Sequence, residues 1–181
     1  MTNWTIEKSA ELYSIDNWGA GCFQIGAGGD VEICIDGFES DSRVSLRNIV
    51  AGLNDRGVSM PVLVRVENLL DQQITRLNNA FAEAIDALEY QGIYRGVFPI
   101  KVNQQSQIIE EIAEFGARFS YGLEAGSKAE LLIALASLEN TDSYVICNGY
   151  KDEEFIHLAL GAQNWDIRYF LLSRLLPKSH F

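Results

Sequence analysis

Tyr94-Arg-Gly-Val-Phe-Pro-Ile-Lys-Val-Asn-Gln-Gln105 is a short apolar run closed by a lysine, and the residues after it change rhythm. Gly96 to Val102 reads as a strand. Ile108, Ile109, Ile112 and Phe115 then recur at steps of three and four, which puts them on one helix face. Strand then amphipathic helix is one βα unit, and the unit repeats on both sides. Upstream, Val62-Leu-Val64 predicts a strand, and Leu70, Ile74, Leu77, Phe81, Ile85 and Leu88 form a helical stripe. Downstream, a strand over 118–124 leads to a helix opened by Ser127-Lys-Ala-Glu130, the capping-box spacing. A fourth strand over 143–147 precedes a helix over 152–160. Strand starts near 61, 96, 118 and 143 lie 22 to 35 residues apart (35, 22 and 25), and β-α alternation of this kind implies parallel strands.

Two α/β architectures accept the pattern: an open doubly wound sheet, or part of a (β/α)8 TIM-type barrel, which needs ~250 residues. Periodicity alone does not choose. The first 60 residues differ in character. Cys22-Phe-Gln-Ile25 and Val31-Glu-Ile-Cys-Ile35 alternate around Gly26-Ala-Gly-Gly-Asp30 and read as a β-hairpin. A helix over 45–56 follows, with Gly57 as its stop.

Composition narrows the function classes. The chain has 181 residues, 48% hydrophobic and 22% charged, which is ordinary globular usage. Its 14 basic and 25 acidic residues give a net charge of −11, a poor match to nucleic acid. No apolar run approaches the ~20 residues of a membrane span, and the start has no basic, apolar leader. Three widely spaced cysteines without a C-x-x-C argue against a disulfide scaffold or zinc site and fit a reducing cytoplasm.

Lys101 is the residue most able to carry chemistry. It ends an apolar strand, at the end where α/β folds place their sites. An amine in apolar surroundings loses its charge more readily and becomes a nucleophile, as a Schiff base with a carbonyl cofactor requires. The bland alternative is a lysine reaching out of the strand end to water. Gly26-Ala-Gly-Gly29 is no phosphate loop, because a strand follows where a helix N-terminus is needed. His157 reads as a helix-face residue, and Cys22 with Cys34 as a reduced cross-hairpin pair.

Several separated motifs carry a resemblance that runs from about residue 10 to about 161. Gly96-Val-Phe-Pro-Ile-Lys101-Val-Asn-Gln resembles the cofactor-lysine strand of the biosynthetic arginine decarboxylases, pyridoxal-phosphate enzymes of the alanine-racemase-like barrel group. Tyr121-Gly-Leu-Glu-Ala-Gly-Ser-Lys-Ala-Glu-Leu131 resembles the family's third strand and following helix. Cys147-Asn-Gly-Tyr-Lys-Asp152 resembles its fourth strand end, and Tyr13-Ser-Ile-Asp-Asn-Trp-Gly19 its opening.

The resemblance implies a fold and a reaction. Residues 1–60 would form a hairpin and helix region, 61–161 the first four to five βα units of a barrel, and 162–181 an aberrant tail. Lys101 would hold pyridoxal 5'-phosphate through a Schiff base while L-arginine loses CO2 and becomes agmatine, a polyamine precursor. Asn103 and Glu124, at neighbouring strand ends, would line the cofactor. Magnesium enters by resemblance only, and no ligand cluster in the sequence demands it. Family members are cytoplasmic homo-oligomers whose phosphate loop, acidic partner of the pyridinium nitrogen and arginine-recognition residues come from later strands and a closing β-domain. The isolated chain is therefore expected to fold poorly and to have little or no activity. The other readings are a small doubly wound binding domain without catalysis, and a non-catalytic partner docked on a full-length copy.

From Ala162 onward the pattern breaks. Read out of frame, the codons of this tail can spell Leu-Gly-Tyr-Gln-Val-Phe-Phe-Val-Ile-Glu, a buried strand ending in an acid. The tail is thus either the product of a frameshift or a genuine C-terminus, and the gene sequence decides between them.

Overall fold

The alternation on either side of Gly26 folds as the sequence predicts. In the computed structural model, which describes residues 3–35, 41–162 and 168–171, β1 (Phe23–Ile25) and β2 (Val31–Cys34) pair antiparallel with Phe23 opposite Ile33. The Gly26 N–H donates to the Asp30 carbonyl (2.8 Å) to close the turn, and Gly29 takes φ +84°. A third strand, β3 (Arg43–Ser45), pairs with β2 and was not foreseen. Ahead of the hairpin, α1 (Ile6–Leu12) is capped by the Thr5 hydroxyl, and α2 (Ile15–Gly19) sets Trp18 against Phe23 with ring centroids 5.2 Å apart. Ile15, Cys22, Ile33 and Cys34 make the buried core of this part. α3 (Leu46–Asp55) starts where the Ser45 hydroxyl accepts from the Asn48 N–H, and Gly57 at φ +78° ends it.

The chain divides into two compact units, Met1–Gln72 and Gln73–Phe181. Between α3 and α4 (Glu67–Ala87) the structure corrects the sequence reading, because Val62-Leu-Val64 is not a strand. Leu63 is 79% exposed, and no strand pairs with this triplet among the described residues.

The second unit holds four parallel strands in sequential order: β4 (Val97–Pro99), β5 (Gly122–Ala125), β6 (Tyr144–Cys147) and β7 (Arg168–Leu171). Their helices are α5 (Ser106–Gly116), α6 (Lys128–Ser137) and α7 (Glu153–Gly161). Register places Phe98, Leu123 and Val145 in one row and Pro99, Glu124, Ile146 and Phe170 in the next. Period-two alternation then sends the two rows to opposite faces. Leu123, Ala125, Val145 and Cys147 are fully buried, and α5 and α6 pack on β5 and α6 on β6. On the other face Tyr144, Glu124 and Ile146 are half-buried and Phe170 is 51% exposed.

Strand order decides the architecture. A doubly wound sheet reverses its order at a switch point, whereas these strands follow the chain. The second unit is a run of βα units of the barrel type, with the helix layer outside. Boundaries shift inward from the predicted ones: Ile100–Val102 form a 3₁₀ turn, as do Ala117–Phe119. β7 lies within the stretch where the sequence reading ended its pattern, and its own residues occupy the next parallel position. The remainder of that tail, 163–167 and 172–181, lies outside the described residues.

Close approach explains one glycine. A Cβ on Gly122 would run into the Tyr144 carbonyl, so only glycine lets β5 sit this close to β6.

Candidate active site

Three polar side chains meet at the C-terminal ends of β4, β5 and β6. Lys101 sits in the 3₁₀ turn just past β4, Glu124 near the end of β5, and Asn148 immediately after β6. Adjacent parallel strands lie about 4.8 Å apart, so residues at matching heights come within side-chain reach. Lys101 Nζ is 3.5 Å from Glu124 Oε1, and Asn148 Nδ2 donates to the same oxygen at 3.2 Å. Glu124 has a 15% exposed side chain, whereas that of Lys101 is 60% exposed. The apolar surroundings expected for the lysine are therefore absent. Its amine faces an acid and open space, because the strand gives way to a turn at Ile100 before the lysine is reached.

Asn103 serves its own loop. Its Oδ1 accepts from the Gln105 N–H (3.2 Å) and its N–H donates to the Ile100 carbonyl (3.1 Å), which turns the chain into α5. Asn148 was missed as a site residue. The signal was available, since it follows the fourth strand as Lys101 follows its own, but the partner that gives it meaning is on another strand.

The helix starts around this mouth are firmly built. Ser127 Oγ accepts from the Glu130 N–H (3.3 Å), and Glu130 Oε2 reaches back to the Gly126 N–H (2.8 Å). The predicted capping box thus forms, with its return bond one residue further out. Lys128 ties the start of α6 to that of α7, at 2.5 Å from Glu154 Oε2 and 2.9 Å from Asp152 Oδ2. Hydrogen bonds that it donates to Glu154 and then Asp152 raise the Lys128 ammonium above its ordinary 10.5. The Lys128 bond, followed by the Phe155 N–H, holds the Asp152 carboxyl below 3.8. Cys147 ends β6 on the helix-covered face, where burial pushes its thiol up and leaves it unsuited to act as a nucleophile. Burial, with Tyr94 second, likewise raises Tyr121. His157 lies exposed on α7.

An accessible primary amine beside a carboxylate and an amide suits the aldehyde end of a carbonyl cofactor. The cations near this mouth are otherwise engaged: Lys128 with two carboxylates, and Lys151 with the Gly149 carbonyl (2.9 Å). Among the described residues no three His, Cys, Asp or Glu side chains gather as a metal site. No helix among them is long and apolar enough to cross a membrane.

The family described as "Pyridoxal-dependent decarboxylase, pyridoxal binding domain" matches residues 71–170, more than half of the chain. The chain belongs to the pyridoxal-dependent decarboxylases. Relatives named biosynthetic arginine decarboxylase include that of Gloeobacter violaceus, 51% identical over 163 residues, which spans 90% of this chain and 25% of the relative. That of Thermosynechococcus vestitus is 48% identical over 162 residues, with 90% and 25% covered. Among solved structures, the biosynthetic arginine decarboxylase of Campylobacter jejuni superposes with a TM-score of 0.80 at 34% identity, over 87% of this chain and 26% of that one. The chain thus spans about a quarter of the length of the decarboxylases it matches, and its sheet corresponds to the first part of their barrel.

Proposed function

We propose that this chain supplies the cofactor-lysine portion of a biosynthetic arginine decarboxylase, which converts L-arginine to agmatine and CO2. Lys101 is the amine that holds pyridoxal 5'-phosphate, and Asn103 and Glu124 line the cofactor. The observation that carries the reading is one distance: the Lys101 amine stands 3.5 Å from the Glu124 carboxylate at the mouth of a parallel sheet, open to an incoming aldehyde. When bound, the pyridoxal group takes up the electron pair released as the bond to the carboxylate breaks.

The residues present divide the remaining work. Lys101 offers a nucleophilic nitrogen on a 3₁₀ turn, whose backbone is pinned by the bond from the Asn103 N–H to Ile100. Glu124 sets a carboxylate 3.5 Å from that nitrogen, close enough to exchange a proton with it. The sheet register sets Glu124 opposite Pro99, two residues before Lys101. Arginine as substrate rests on the names of the relatives, which agree. The same reading takes 1–60 as a hairpin and helix region, 61–161 as the first part of the barrel, and the whole protein as a cytoplasmic homo-oligomer.

The test is direct. Adding pyridoxal 5'-phosphate to the chain should give a yellow adduct that borohydride fixes on Lys101 in peptide maps, and Lys101→Ala should give neither colour nor label. Retention of both in the variant would overturn the assignment. The 181 residues alone should release no agmatine from L-arginine, and measurable turnover would refute that part.

A further inference from the structure

Two donors converge on one oxygen of Glu124, and the second of them has no role in the reading above. Asn148 is held at every point. Its backbone N–H donates to the Ala125 carbonyl (2.8 Å), extending the ladder one residue beyond the strands. Its Oδ1 accepts from the Gly149 N–H (2.9 Å), so the amide oxygen is committed to the turn. That fixes which end of the amide faces the acid: Nδ2 points at Glu124 Oε1, at 3.2 Å. Gly149 takes φ +74°, and its Cα packs against the Gly126 backbone so closely that a Cβ would strike the Gly126 carbonyl. The loops after β5 and β6 are thus built around the orientation of this one amide.

We propose that Asn148 is a positioning residue that holds the Glu124 carboxylate toward the Lys101 amine. This rests on Lys101 being the cofactor lysine, since only then does the orientation of its neighbour matter to the reaction. Without the amide, the Glu124 carboxylate keeps only Lys101 as a side-chain partner among the described residues and can rotate toward water. The amine then loses a fixed counter-charge at 3.5 Å. Two unit charges 4 Å apart in water interact by about 1 kcal/mol, a factor of about five, and screening by salt reduces this to about two- to threefold.

Lys101 reactivity can be read without cofactor or turnover. Pulsed labelling with acetic anhydride at one fixed pH, followed by peptide mass spectrometry, gives the rate at Lys101 relative to Lys8. With the counter-charge removed, Glu124→Gln should raise the Lys101 labelling rate by about two- to threefold, and Asn148→Ala should raise it by a similar or smaller factor. In the Glu124→Gln background, Asn148→Ala should add nothing, because its action passes through the carboxylate. Asn148→Ser, which can still accept from the Gly149 N–H but cannot reach Glu124, should behave as the alanine does and covers the case in which alanine unfolds the loop. An unchanged Lys101 rate in Asn148→Ser, or effects of the two sites that multiply independently, would overturn the proposal. Its failure is separable from that of the cofactor assignment, which is decided by the borohydride label on Lys101 alone.

Discussion

Val145 and Ile146 are neighbours on β6 and point to opposite faces, so truncating each in turn tests which face carries the core. Val145 is fully buried against the helix layer. Val145→Ala removes two carbons, worth ~1.6 kcal/mol at about 0.8 per buried CH2, and the cavity left between rigid strands and helices adds ~1. The expected loss is about 2.5 kcal/mol. Ile146→Ala removes three carbons and would cost more if both faces were equally covered. On the uncovered face, half-buried beside Glu124, it should cost about 1 kcal/mol or less. In urea unfolding followed by far-UV circular dichroism, a slope of about 2 kcal/mol per molar gives midpoint shifts of ~1.2 M and at most ~0.5 M. The larger truncation should therefore do the lesser damage. An Ile146→Ala midpoint lower than that of Val145→Ala would refute the one-sided helix layer, and with it the choice of a barrel-type sheet over a doubly wound one.

Two further outcomes follow from local geometry. Gly149→Ala should cost about 2–3 kcal/mol in the same assay, because its positive φ is compounded by the Gly126 carbonyl, whereas Gly57→Ala, at φ +78° with nothing near its missing Cβ, should cost only about 1 kcal/mol. The Lys128–Asp152–Glu154 cluster makes stability depend on pH at both extremes. Asp152 is depressed in the folded chain, so its contribution is present above pH 3.8 and is lost as pH falls through the lower folded value. Lys128 is raised, so its contribution is present below pH 10.5 and is lost as pH rises through the higher folded value. Melting temperatures of wild type and Lys128→Met should differ between these limits and converge outside them; a constant offset at every pH would contradict the electrostatic account.

Local chemistry was legible where it sufficed. Ser127 with Glu130, the glycine turn after Ile25 and the helices after each predicted strand follow from bonds or packing within a few residues, and these formed. Strand status was less legible, because a strand exists only when something pairs with it. Val62–Val64 has better β-formers than Arg43–Ser45, yet the latter pairs with β2 and the former is no strand. Arg168–Leu171 is likewise a strand by virtue of β6 beside it. The site shows the same division. Lys101 and Glu124 were recognisable from their strand ends, but the apolar setting expected for the lysine was not found. Asn148 gained its meaning only from a contact 24 residues away in sequence.

The three groups at the mouth stand on successive strands, so the backbone ladder itself is the ruler that spaces them. Mutational drift on the outward helix surfaces can retune solubility or turnover of the polypeptide in the cell while leaving this spacing intact. A one-residue slip of β5 is different in kind: it would turn the acid outward into the helix layer and away from Lys101 in a single step.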